Sequence, residues 1–189
     1  MSLVHSSAHS SAHSSGQALA RPPNLYDGFF QLAYVTTDLE QAIATYREHY
    51  GVERFLRVPM SFEASTPDGV KSARLSAAFA YVGATQIELI EPIEGSLTLY
   101  ADALPSGGEE PAFALRLHHV GCWLRDRARW DAFRAGLDSS KHRIALESML
   151  GEHESQYLYL DERARLGHYC EYMWLDAPAS AFFASIPRN

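Results

Sequence analysis

Leu115-Arg116-Leu117-His118-His119-Val120-Gly121-Cys122-Trp123 is the stretch that decides the architecture. It has the composition of a strand buried on both faces, and alternation sends Leu117, His119, Gly121 and Trp123 one way and His118, Val120 and Cys122 the other. An earlier stretch, Phe30-Gln31-Leu32-Ala33-Tyr34-Val35, echoes it, and each copy is followed by an aspartate and a helical pattern. An internal repeat follows from that echo.

Working outward, Asp38 caps a helix on which Leu39, Ile43, Tyr46 and Tyr50 share a face, and Gly51 ends it. Strands are expected near 53–62 and 71–82, separated by the turn Thr66-Pro67-Asp68-Gly69, and near 84–90, where Glu91-Pro92 stops the run. After a connector with a short helical piece around 97–104 and the turn Pro105-Ser106-Gly107-Gly108, the order restarts. Asp126 opens a helix with Trp130, Phe133 and Leu137 on one face, and strands follow near 143–150, 155–161 and 168–175.

Each half thus reads β-α-β-β-β. Setting Gln31 against His119 also sets Asp38 against Asp126 without a gap, and Glu88 falls against Glu171 in the last strand of each half. Neither unit can bury a sheet face alone, so the two are expected to join into one curved, eight-stranded mixed sheet of α+β class, helices outside and a cleft inside. Gln31, Glu88, His119 and Glu171 can all face that cleft, whereas His118 is expected to face the helices.

Composition bounds the function. The chain has 189 residues, 47% hydrophobic and 12% aromatic, enough for a substantial core. A net charge of -7 and a pI near 5.7 disfavour nucleic acid or anionic lipid as a partner. No apolar run approaches the roughly 18 residues of a spanning helix, and no secretory signal pattern is present, so the expected compartment is the cytoplasm. Cys122 and Cys170 sit apart inside strand-like runs and are expected as free, buried thiols. Residues 1–23, in which His5, His9 and His13 recur in a Ser/Ala-rich repeat, are expected to form a disordered tail.

With these residues in place, the chain resembles the vicinal oxygen chelate superfamily, the glyoxalase, bleomycin-resistance and dioxygenase-like proteins, in the broad group near methylmalonyl-CoA epimerase. The resemblance rests on Gln31-Leu32-Ala33-Tyr34-Val35, Gln86-Ile87-Glu88-Leu89-Ile90-Glu91-Pro92, Leu117-His118-His119-Val120-Gly121 and Gly167-His168-Tyr169-Cys170-Glu171-Tyr172. It implies one domain over residues 24–176, with a first module at about 26–92, a linker at 93–112, a second module at about 113–176, and 177–189 as a C-terminal tail. It also implies that the family's four metal-ligand positions fall on Gln31, Glu88, His119 and Glu171, and that the protein forms a homodimer. Val35 stands where glyoxalase I carries a basic residue for glutathione, which argues against glutathione chemistry.

One imidazole, two carboxylates and an amide oxygen suit a divalent ion such as Zn²⁺, Ni²⁺, Co²⁺, Mn²⁺ or Mg²⁺. The implied chemistry is that of an isomerase, epimerase or lyase that takes a proton from the carbon beside a carbonyl of a small oxygenated substrate, with Glu171 as first choice of base and Glu88 second. The alternative is a metal-free protein that sequesters an organic ligand in the same cleft. An iron dioxygenase is disfavoured, because such sites use two histidines and one carboxylate. Half of Tyr157, Tyr159, Tyr169 and Tyr172 should line the cleft, Tyr169 and His153 being candidates for substrate contact. Tyr100, Trp130 and Trp174 read as packing residues.

Overall fold

The structure is a computed structural model describing residues 26–106, 113–150 and 154–189. The histidines of the leader, the end of the 105–108 turn and His153 lie outside the described residues.

The first module comprises β1 (Phe29–Thr36), α1 (Leu39–Tyr50), β2 (Leu56–Thr66), β3 (Gly69–Val82) and β4 (Thr85–Gly95). The second comprises β5 (Leu115–Trp123), α2 (Arg127–Ala135), β6 (Ile144–Met149), β7 (Gln156–Asp161), α3 (Arg163–Leu166) and β8 (Tyr169–Trp174), and α4 (Ala177–Ser185) follows. The strands close into an eight-stranded mixed barrel in the order β1-β4-β3-β2-β6-β7-β8-β5. Within each module the first and last strands run parallel, and the modules meet along β1/β5 and along the single pair Ser65/Glu147 between β2 and β6.

Local chemistry sets the helices. The Asp38 carboxylate accepts from Gln41 N at 2.9 Å, and Gly51 ends α1 in the left-handed region with φ of 67°. α1 buries Leu39, Ala42, Ile43 and Tyr46 against the outer face of β3 and β4, while α2, capped by Asp126, buries Trp130 and Phe133 against β8. Cys122 and Cys170 are free and buried in that second outer layer. A third apolar cluster fills the barrel interior and includes Phe79, Ile90, Leu146, Tyr157, Tyr159 and Met173.

Three details differ from the sequence reading. β4 continues through Pro92 to Gly95. Its pairing with β1 ends at Val35/Ile90, so Pro92 pairs with β3 alone, beside a register shift, and its missing N–H leaves no ladder bond unmade. Residues 177–189, set apart as a tail, include α4, whose Ala179 and Phe183 join the interior cluster. His118 does not face the helices. The β1/β5 register steps from Ala33/His119 to Tyr34/Leu117, so β5 carries one extra residue there. That bulge turns the His118 ring inward, where it stacks on Tyr100 at 4.8 Å between centroids.

Candidate functional site

The ladder register writes the site as two rows across neighbouring strands. One row reads Gln86 on β4, Gln31 on β1, Gly121 on β5, Glu171 on β8 and Tyr159 on β7. The next reads Phe79 on β3, Glu88 on β4, Ala33 on β1, His119 on β5 and Tyr169 on β8. Strand side chains alternate with a period of two, so both rows project into the barrel. Ala33 and Gly121 are small, which leaves room for the longer residues beside them.

Three ionisable groups converge there. His119 Nε2 lies 3.3 Å from Glu88 Oε2 and 3.4 Å from Glu171 Oε2, with the imidazole fully buried. Burial, the largest influence on the ring, opposes its charge. Hydrogen bonds to Glu171 and Glu88 and the charges of both carboxylates outweigh it and raise the His119 pKa to about 9. Burial raises the Glu171 carboxyl above its ordinary value. One imidazolium neutralises one of two buried carboxylates, so a net negative charge remains to be met by a proton or a cation.

The opposite edge of the His119 ring is fixed by its neighbour. His118 Nδ1 lies 2.9 Å from His119 Nδ1, and His118 Nε2 lies 3.3 Å from the Leu99 carbonyl oxygen. A carbonyl only accepts, so His118 Nε2 carries the proton. Burial, with the charge of His119 beside it, holds the His118 pKa well below its ordinary value, so the ring is neutral and its bare Nδ1 accepts from His119 Nδ1–H. His119 Nε2, turned toward the carboxylates, is thereby the free nitrogen of the neutral ring.

The donor set fits a divalent cation: a neutral imidazole nitrogen and two carboxylates that balance its charge. Gln31 adds a buried Oε1 with no hydrogen-bond partner, its amide nitrogen being bound 2.7 Å from Gln86 Oε1. Such an orphaned acceptor in a buried site is free to accept from water or to bind a ligand. Among the described residues no three His, Cys, Asp or Glu side chains are arranged as a metal site, and here the carboxylates rest directly on the imidazole.

Glu88, Glu171 and Gln31 line one side of a cavity of about 320 Å³ whose other walls are apolar and aromatic, including Met60, Phe62, Phe79, Tyr157 and Phe182. Tyr159 and Tyr157 both line it, whereas Tyr172 lies outside the barrel against Phe133. Tyr169 points inward but sits behind His118, 5.0 Å from it between centroids, and does not line the cavity. Trp130 is a buried packing residue that donates to Gln156 Oε1 at 3.0 Å.

One site residue escaped the sequence reading. Tyr100, taken as packing, lines the cavity and reaches the Tyr159 hydroxyl at 3.3 Å. The Tyr159 hydroxyl itself stands 3.3 Å from His119 Nε2. The register signal for Tyr159 was present, because it lies one strand beyond Glu171; Tyr100 comes from the connector, which has no periodicity to read.

A closed barrel of two β-α-β-β-β modules, with polar side chains gathered on the first and last strand of each, defines the class. Residues 30–145 match the family model for the glyoxalase/bleomycin resistance protein/dioxygenase superfamily, and the chain belongs to that family. No curated protein sequence matches it. Similar solved structures include a single-residue variant of Streptomyces coelicolor methylmalonyl-CoA epimerase in complex with 2-nitronate-propionyl-CoA, at 19% identity and a TM-score of 0.54, covering 80% of this chain and 99% of that one. A methylmalonyl-CoA epimerase in complex with methylmalonyl-CoA and NH4+ is similar at 19% identity and the same TM-score of 0.54, covering 80% of this chain and 96% of the other. At such identity the likeness is one of fold.

Proposed function

We propose that the protein is a divalent-metal-dependent isomerase, epimerase or lyase that moves a proton at the carbon beside a carbonyl of a small organic substrate. The observation that carries this reading is the convergence of Glu88 and Glu171 on His119 Nε2 at the wall of an otherwise apolar cavity. His119, Glu88, Glu171 and Gln31 would hold the ion, which would supply Lewis acidity beside the substrate carbonyl.

Glu171 is the first candidate for the base. It lines the cavity, and burial raises its carboxyl, which moves its basicity toward that needed to accept a proton from carbon. Glu88, which meets the same His119 Nε2 and lines the same cavity, is the second candidate for moving the proton. Phe62, Phe79 and Phe182 make the surrounding walls apolar, and low polarity strengthens each charge interaction at the carboxylates.

A second reading is favoured by one observation, the direct ion pairing of His119 with both carboxylates: a metal-free barrel that sequesters an organic ligand. Metal content after dialysis, with residues 1–23 removed so that their histidines do not contribute, separates the two. About one divalent ion per chain, lost in Glu88→Ala and His119→Ala, supports the enzyme. No retained ion with any of the five metals sinks it.

A further inference from the structure

The two epimerase structures named above hold coenzyme A ligands, and the walls of this cavity offer such a ligand few partners. At about 320 Å³ it is at the small end of ligand cavities. Val58, Met60 and Phe62 from β2, Leu75 and Phe79 from β3 and Phe182 from α4 surround the space in front of the carboxylates. Among the described residues the only charged side chains lining it are Glu88 and Glu171, both acidic. A phosphate or carboxylate on the ligand would meet no guanidinium or ammonium along these walls, and an unpaired anion against apolar surface is costly.

The cations at this end of the barrel are elsewhere. Arg125 and Arg188 border a separate groove, 3.9 Å over the Trp123 ring and 4.4 Å over the Tyr81 ring respectively. Phe183, a buried member of both linings, stands between that groove and the cavity. A ligand seated on the carboxylates therefore faces Phe183, not the arginines.

We propose that the substrate is a free, uncharged, largely apolar carbonyl compound, taken whole into the cavity, and that phosphate-bearing thioesters are excluded. This rests on the cavity being the substrate site of the proton-transfer reaction proposed above. Met60, half-buried on β2, is one of the apolar wall residues at which a charge can be introduced.

Calorimetric titration of the full chain with acetoin, hydroxyacetophenone, hydroxyacetophenone bearing a ring carboxylate, and methylmalonyl-CoA tests it. Hydroxyacetophenone should bind at least tenfold more tightly than its ring carboxylate and than the thioester, and Met60→Lys should reverse the preference between the two ketones. Thioester binding as tight as that of hydroxyacetophenone overturns the proposal, as does binding of neither neutral ketone. Tight binding of the ring carboxylate that disappears in Arg125→Ala also overturns it, since the ligand would then reach the arginine groove. Solvent deuterium exchange into bound hydroxyacetophenone is scored separately. Binding without exchange refutes the proton-transfer chemistry and leaves the substrate class standing.

Discussion

Gly121 lies directly across the β1/β5 ladder from Gln31, and a Cβ built on it would press on Gln31 Oε1 and lie 2.8 Å from the Gln31 Cβ. The absence of a side chain at one position is what lets the amide of the other reach the cavity beside Glu171.

Gly121→Ala should therefore destabilise the protein by about 1–3 kcal/mol through overpacking, read as a lower urea midpoint at constant slope. In a Gln31→Gly background most of that cost should vanish, because both the Gln31 Cβ and the amide it carries are gone. Equal costs in both backgrounds would show that the two residues are not coupled.

His118→Phe keeps an aromatic ring against Tyr100 but removes the acceptor for His119 Nδ1–H. A buried donor left with only the Tyr159 hydroxyl at 3.4 Å costs up to about 1–3 kcal/mol, and under the proposed function loss of the partner that orients His119 lowers metal affinity about 10- to 100-fold. Denaturation and competition with a chelator measure the two effects. A variant unchanged in both would remove His118 from the site.

The pH dependence of the metal-free protein has a definite sign. His119 has its pKa raised from 6.5 to about 9, so the folded state holds a proton that the unfolded chain releases. The stabilisation is fully present below pH 6.5 and is lost as pH rises through 9, an effect of up to about 3 kcal/mol. The urea midpoint should fall across that window in the parent protein and stay flatter in His119→Gln.

Removing residues 177–189 should do more than shorten the chain. The segment supplies the Phe183 wall and two backbone bonds to Tyr81, its N–H to Pro187 O at 2.8 Å and its carbonyl from Asn189 N at 2.9 Å. The truncated protein should bind a hydrophobic dye and unfold at lower urea. A dye-negative truncation of unchanged midpoint would show that α4 contributes nothing to the barrel.

Sequence alone determined the repeat, and the repeat determined most of the architecture. Alternation in Leu115–Trp123 and its echo at Phe30–Val35, each followed by a capping aspartate, carry local information that survives without tertiary context. The same pairing put Gln31, Glu88, His119 and Glu171 on one face, because side-chain direction in a strand follows a period of two. Only the tertiary structure decided what broke that period or lay outside it. The extra residue at His118 is a property of the β1/β5 pairing, and no single-strand pattern reports how a partner strand is registered. Tyr100 and Phe183 reach the cavity from a connector and a terminal helix, whose placement depends on the closed barrel they pack against. The charge state of His119 was equally out of reach, since it is set by two carboxylates that are distant in the chain and adjacent only once the strands are joined.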